Sequence, residues 1–235
     1  MNASSTSSRF GFYSALSTAV LTLVTFGFAI TALPNSGANC TADCVEYPYL
    51  EVLAEYPRDF LWMPLAIVLV LAYVTLMVSI HFLAPEHKKI FSQAGLSFAL
   101  IAAALLVCDY FIQFSVVPMS LFNNQTEGLA LWIQYNPHGL FIALEELGYL
   151  VMSLSFIFIS PVFAGGNRLE TAVRWIFVIA FVVTMVSLVV IAIQYGLSRE
   201  DRFEILVISI DWLVLVVNGI LLSVVFRRRM KEAGI

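Results

Sequence analysis

The sequence predicts an all-α, polytopic membrane protein with six transmembrane helices and both termini cytoplasmic. Three observations carry that prediction. Of the 235 residues, 60% are hydrophobic and only 12% are charged, where an ordinary soluble domain has about 25% charged. Six apolar stretches run at roughly 11–33, 60–84, 92–118, 139–164, 175–195 and 205–226. Each reaches the ~20 residues a helix needs to cross a bilayer core. Lys and Arg then divide unevenly. With the termini and the second and fourth connections in the cytoplasm, only Arg58, Arg199 and Arg202 of the 12 fall outside, as the positive-inside rule requires.

The composition excludes a water-soluble globule and a disordered chain, which needs low hydrophobicity. The net charge of −4, with no basic run beyond Arg227-Arg228-Arg229, gives no reason to expect nucleic acid as a partner. The partner expected is the lipid bilayer. The chain reads as one transmembrane domain, 1–235. No stretch alternates with the period of two expected of barrel strands, and helices satisfy their own backbone in lipid.

The first stretch follows Arg9 and precedes Ser36-Gly37-Ala38, a pattern shared with signal peptides. Its apolar run exceeds the roughly 7–15 residues of a signal core, so it reads as a retained helix. The connection 34–59 is polar and acidic. It carries Cys40 and Cys44 on the oxidising side, where a disulfide can form; two free thiols are the alternative. The second stretch ends at Pro85-Glu86-His87-Lys88-Lys89. His81 and His87 have no third ligand spaced with them, so no metal site is predicted. In the third stretch, Cys108 reads as a small buried hydrophobe and Ala102-Ala103-Ala104 as a close-packing patch.

Within the connection 119–137, the stretch 127–135 either lies flat in the interface, with Trp132 and Tyr135 at headgroup level, or is an ordinary loop capping the bundle. The turn Gly165-Gly166-Asn167-Arg168 is too short to hold a soluble catalytic domain. Trp62, Trp175 and Trp212 fit an aromatic belt. Arg227-Arg228-Arg229 anchors the last helix. Asn39-Cys40-Thr41 and Asn124-Gln125-Thr126 match the glycosylation sequon, which matters only in a eukaryotic secretory pathway.

Acids inside the spans are the most informative feature, because ionisable groups there are costly and by default functional. They are Asp109, Glu145, Glu146 and Asp211. Helix rise places Asp211 ~10 Å below Glu204, Glu145 ~10 Å below His138 and Asp109 ~13 Å below Pro118. That predicts one layer of carboxyls in the outer half-membrane. Gln113 shares a face with Asp109, while Tyr149 and His138 share one with Glu145. Asp211 and Asn218 line one stripe. Glu145 and Glu146 sit ~100° apart on the helix, and Glu145 is the better candidate for the interior.

The predicted site is an outward-facing acidic pocket of Asp109, Gln113, His138, Glu145, Tyr149 and Asp211. Carboxyls without a basic partner must be protonated, hydrated or holding a cation. The alternative is that each bonds a neighbouring helix, glue worth only ~0.6 kcal/mol per bond. No Walker loop, nucleophile elbow or zinc-protease motif occurs. No catalytic residue and no cofactor are predicted.

Leu76-Met77-Val78-Ser79-Ile80-His81-Phe82-Leu83-Ala84-Pro85-Glu86-His87-Lys88-Lys89 and Ser160-Pro161-Val162-Phe163-Ala164-Gly165-Gly166 resemble a family of uncharacterised prokaryotic six-helix membrane proteins. The resemblance implies a multi-pass protein of a prokaryotic inner membrane and brings no activity. The leading functional expectation is a non-enzymatic module binding a proton, a cation or a small cationic or amphipathic ligand. The alternatives are a proton- or cation-coupled transporter, an intramembrane lipid-modifying enzyme and a structural subunit of a membrane complex.

Overall fold

The structure, a computed structural model, describes residues 3–32, 35–40 and 42–232. Among them the regular secondary structure is entirely helical. The α-helices are α1 (Ala3–Ala29), α2 (Trp62–Leu83), α3 (Lys89–Ser115), α4 (Val117–Phe122), α5 (Leu140–Ile159), α6 (Arg168–Tyr195) and α7 (Arg202–Glu232). All but α4 are long and apolar enough to cross a membrane, which makes the chain a multi-pass membrane protein. Their outward faces carry large exposed apolar side chains such as Phe111, Val186 and Ile193, the surface that lipid solvates.

The helices overrun the apolar stretches. α6 begins seven residues before 175 and α7 runs six past 226, because backbone hydrogen bonding does not stop where apolar side chains stop. Capping decides instead. Asn167 accepts from the N–H groups of Leu169 (2.9 Å) and Glu170 (3.2 Å), and Glu170 accepts from Asn167 N–H at 3.0 Å. This reciprocal box starts α6. At the other end of the third stretch, Pro118 has no N–H to continue α3. The chain breaks at Val116 and restarts as α4 with the proline in its first turn, where the missing donor costs nothing.

The six long helices close a ring in the order α1, α2, α3, α5, α6, α7, with α5 also packed across on α7. Chain direction alternates, giving the bundle two unlike ends. The basic end has short turns. There Lys88 Nζ donates to the Ala164 carbonyl at 2.5 Å, and Arg229 pairs with Glu170 at 3.1 Å. Nearby, α1 and α7 approach closely. A Cβ on Gly219 would lie 2.9 Å from Ala19 Cβ and 3.0 Å from the Ala15 carbonyl, so only glycine permits this separation.

The other end carries three connections, two of them long, and is called the loop end. Cys40 and Cys44 are joined in a disulfide, their Cα atoms 5.8 Å apart. Thr41, the last residue of the first sequon, lies outside the described residues; Asn124, Gln125 and Thr126 are exposed. The 129–137 segment does not lie flat but caps the bundle. Ile133, Gln134 and Tyr135 are buried, Tyr135 donates to the buried Asp59 carboxylate, and Ser36 donates to the Tyr135 carbonyl at 2.6 Å.

Two expectations about facing are corrected. Cys108 is exposed, on the outward stripe of α3 with Leu100, Ala104 and Phe111, since i, i+4 spacing carries it away from Asp109. Trp62 and Trp212 are buried inside the bundle, edge to face at 6.5 Å, and do not form a belt. Of these tryptophans, Trp175 is half exposed.

Candidate functional site: an acidic cavity between α1, α5 and α7

On α7, Glu204, Asp211 and Asn218 recur every seven residues and so share one inward stripe; all are buried. On α5, Glu145 and Tyr149 are four apart on the inward face, both almost fully buried. Where these faces meet at the loop end, the carboxyls of Glu145 and Glu204 stand close together in the lining of one cavity. Two carboxylates cannot hydrogen-bond each other without a proton between them, so a bond across the pair requires at least one.

The neighbours decide which member accepts. Tyr110 donates its hydroxyl to Glu145 Oε1 at 2.7 Å. Its only hydrogen is then used, so the 2.8 Å contact between Tyr149 and Tyr110 must run from Tyr149. Trp212 Nε1, a pure donor, gives to the Tyr149 oxygen at 2.9 Å. Trp212, Tyr149 and Tyr110 thus form a donor chain that ends on Glu145. A hydroxyl bonds a carboxylate more strongly than a neutral carboxyl, which favours Glu145 as the acceptor of the pair and Glu204 as the donor.

The pair faces a cavity of about 480 Å³, within the ~300–1,000 Å³ range of small-molecule sites. Its walls are mainly apolar, from Phe26 on α1 and Ile30 just after it, Phe141 and Ile142 on α5, and Ile208 and Trp212 on α7. Asp201 joins Glu145 and Glu204 in the lining, and none of the described lining residues is Lys or Arg. The nearest bases are committed elsewhere. Arg199 pairs with Glu146 at 2.5 Å. Arg202 stacks on Tyr195 with its guanidinium 4.4 Å from the ring centre and donates to the Ser198 carbonyl at 2.8 Å.

Asp201 also holds the roof, accepting from Ala38 N–H at 3.2 Å. Burial pushes its carboxyl above the ordinary value, against the Ala38 bond, which pulls it down.

The predicted pocket is only partly the one observed. Glu145 lines the cavity. Tyr149 stands one shell behind it, in the donor chain. Asp109 is buried close to Glu145 and Glu204 but is not part of the lining. Gln113 is buried too, yet its amide nitrogen donates to the Trp132 carbonyl at 2.5 Å and its oxygen accepts from Gln134 N–H at 3.1 Å. It pins the capping loop and does not touch the cavity.

His138 is exposed. α5 is capped by Gly139, so His138 lies before the helix and the seven-residue count to Glu145 does not follow one face. The single carboxyl layer also fails for Asp211. Glu204 pairs with Glu145 at one level, and Asp211 lies two turns deeper, ~10 Å further along α7. There it accepts from Ser153 at 2.7 Å.

The other corrections concern residues read as outside the site. Glu146 is buried as well as Glu145, because Arg199 reaches in to meet it. Glu204 and Asp201 were legible only as outer-edge charges. The signal for Glu204 was the heptad it forms with Asp211 and Asn218.

Among the described residues, no group of three or more His, Cys, Asp or Glu is placed to hold a metal ion. The arrangement can hold a shared proton and can face a cation with negative charge inside an apolar chamber. No protein-family model, curated protein or solved structure matches the chain.

Proposed function

We propose that this protein is a non-enzymatic membrane module that binds a small cationic, amphipathic ligand in the acidic cavity. The loop end lies on the outer side of a cell membrane and both termini are cytoplasmic. The observation that carries this reading is the Glu145–Glu204 pair set in the wall of an apolar chamber with no base among its lining. A pair sharing one proton keeps one negative charge. A buried charge is costly unless it is paired, and a cation in the chamber supplies that partner while its apolar part covers Phe26, Ile142 and Trp212. The orientation is supported by the basic turns at the opposite end.

Thermal unfolding of the purified protein with tetraphenylphosphonium tests this reading. A saturable rise in Tm is expected, lost when Glu145→Gln and Glu204→Gln are combined, with tetraphenylphosphonium flux in proteoliposomes no faster than in protein-free liposomes. If neither tetraphenylphosphonium nor dodecyltrimethylammonium moves the Tm, the reading is wrong.

A further inference from the structure

We infer that the cavity opens sideways into the bilayer between α1 and α7, and that its occupant is a membrane-resident amphiphile with one alkyl chain and an ammonium head. This deepens the preceding reading and rests on it.

The two helices part like a wedge. Toward the basic end they are pinned, at Gly219 against Ala15 and Ala19 and at Gly11 against Phe226. Toward the loop end the cavity comes between them. Leu23 and Phe26 of α1 and Ile30 just after it line it, with Ile205, Ser209 and Leu213 of α7 facing them. Several of these are also on the outer surface: Leu23 is 55% exposed, Ile30 51% and Leu213 64%. Exposure this large at lining residues of both helices places the mouth of the cavity in the gap between α1 and α7.

The height of the opening decides what lies outside it. Leu23 and Leu213 belong to helices long and apolar enough to span. Leu213 is eleven residues into α7, ~16 Å from its start, at the depth of hydrocarbon. Above, the chamber is roofed. Ser36, Gln134 and Pro137 line its top and are buried. The roof is held by the Ser36 bond to the Tyr135 carbonyl and the Asp201 bond to Ala38. Among the described residues, a loop layer stands toward water and an open slot toward lipid.

Polarity inside the slot runs in one direction. Asp201 and Glu204 stand at the head of α7. Below them on the lining come Ile205, Ile208, Leu213 and Val216, with Ser209 and, on α1, Thr22 the polar exceptions. An amphiphile in a leaflet has the same gradient, with its head at the interface and its chain pointing to the midplane. The negative charge selects a cationic head.

The tryptophans give the readout. Trp62 and Trp212 line the cavity, whereas Trp132 and Trp175 do not. In phosphatidylcholine nanodiscs, Trp132→Phe/Trp175→Phe protein is titrated with an ω-bromoalkyl-trimethylammonium probe, whose bromine quenches indole on contact. Saturable quenching is expected. Ser209→Phe and Ala29→Phe, one on each lip of the slot, are expected to slow its onset about tenfold, since access then limits association. The variant whose unfolding matches the parent is the one read.

Saturable quenching with unchanged onset in the lip variants means access from water and overturns the lateral opening, leaving the binding reading intact. Stabilisation by tetraphenylphosphonium without saturable quenching by the alkyl probe overturns the alkyl-chain occupant alone. Neither signal overturns both proposals.

Discussion

A tyrosine has one hydrogen to give, and Tyr110 gives its to Glu145. That fact orders the whole donor chain and makes its links unequal. Tyr149→Phe removes both the acceptor for Trp212 and the donor to Tyr110. It should cost about 1 kcal/mol, a typical net hydrogen bond with part of a stranded indole N–H, read as a lower midpoint in detergent denaturation. Glu204→Gln keeps a donor toward Glu145 and should be tolerated within about 1 kcal/mol. Glu204→Leu leaves the Glu145 carboxylate without that donor and should cost ~1–3 kcal/mol. Equal losses for the two variants would contradict the donor assignment.

Asp201 adds a pH dependence. Burial holds its carboxyl above the ordinary value in the folded chain, so folding takes up a proton between the unfolded and folded values. The associated stability is fully present below the unfolded value, about 3.9, and is lost as pH rises through the folded one. The stability of wild type minus that of Asp201→Asn should therefore fall as pH rises through the acid range. A flat difference would show that Asp201 does not titrate this way.

Glu145 was legible in the sequence because an acid inside an apolar run has few innocent explanations. Glu204 was not, since an acid where an apolar run starts looks the same whether the helix has begun in water or under a roof. Only the fold of 36–38 and 134–137 over it decides that. His138 shows the reverse error. A face drawn by counting residues is valid only inside the helix, and Gly139 ends it.

At the level of helices, apolar length told where six of them lie but not where they stop, because termini are set by single polar contacts. Asn167→Ala removes the acceptor for two N–H groups of α6 and should lower stability by about 1 kcal/mol. α4 escaped notice because its residues continue the third stretch without any drop in hydropathy; only Pro118 marks the break. α1 and α7 approach closely at Gly219. Gly219→Leu puts a side chain where Ala19 Cβ and the Ala15 carbonyl already are, an overpacking expected to cost about 1–3 kcal/mol. Thermal unfolding of that variant against Gly27→Leu is the comparison, because a Cβ at Gly27 meets nothing within 4 Å.

For the molecule as a whole, the alternation of direction and the charge asymmetry could be read without coordinates, whereas the closure of the ring could not. Which faces meet depends on small residues such as Gly219, Gly95 and Ala15, whose spacing resembles that of many unpaired small residues. α1 and α7 are the first and last of the described helices, and they are neighbours. During synthesis, α1 therefore waits in the bilayer with its Ala15 and Ala19 edge uncovered until α7 has been made. The chamber and its paired acids come into being together when the two dock. A chain lacking that contact has neither, so ligand capture reports on the docking of α7.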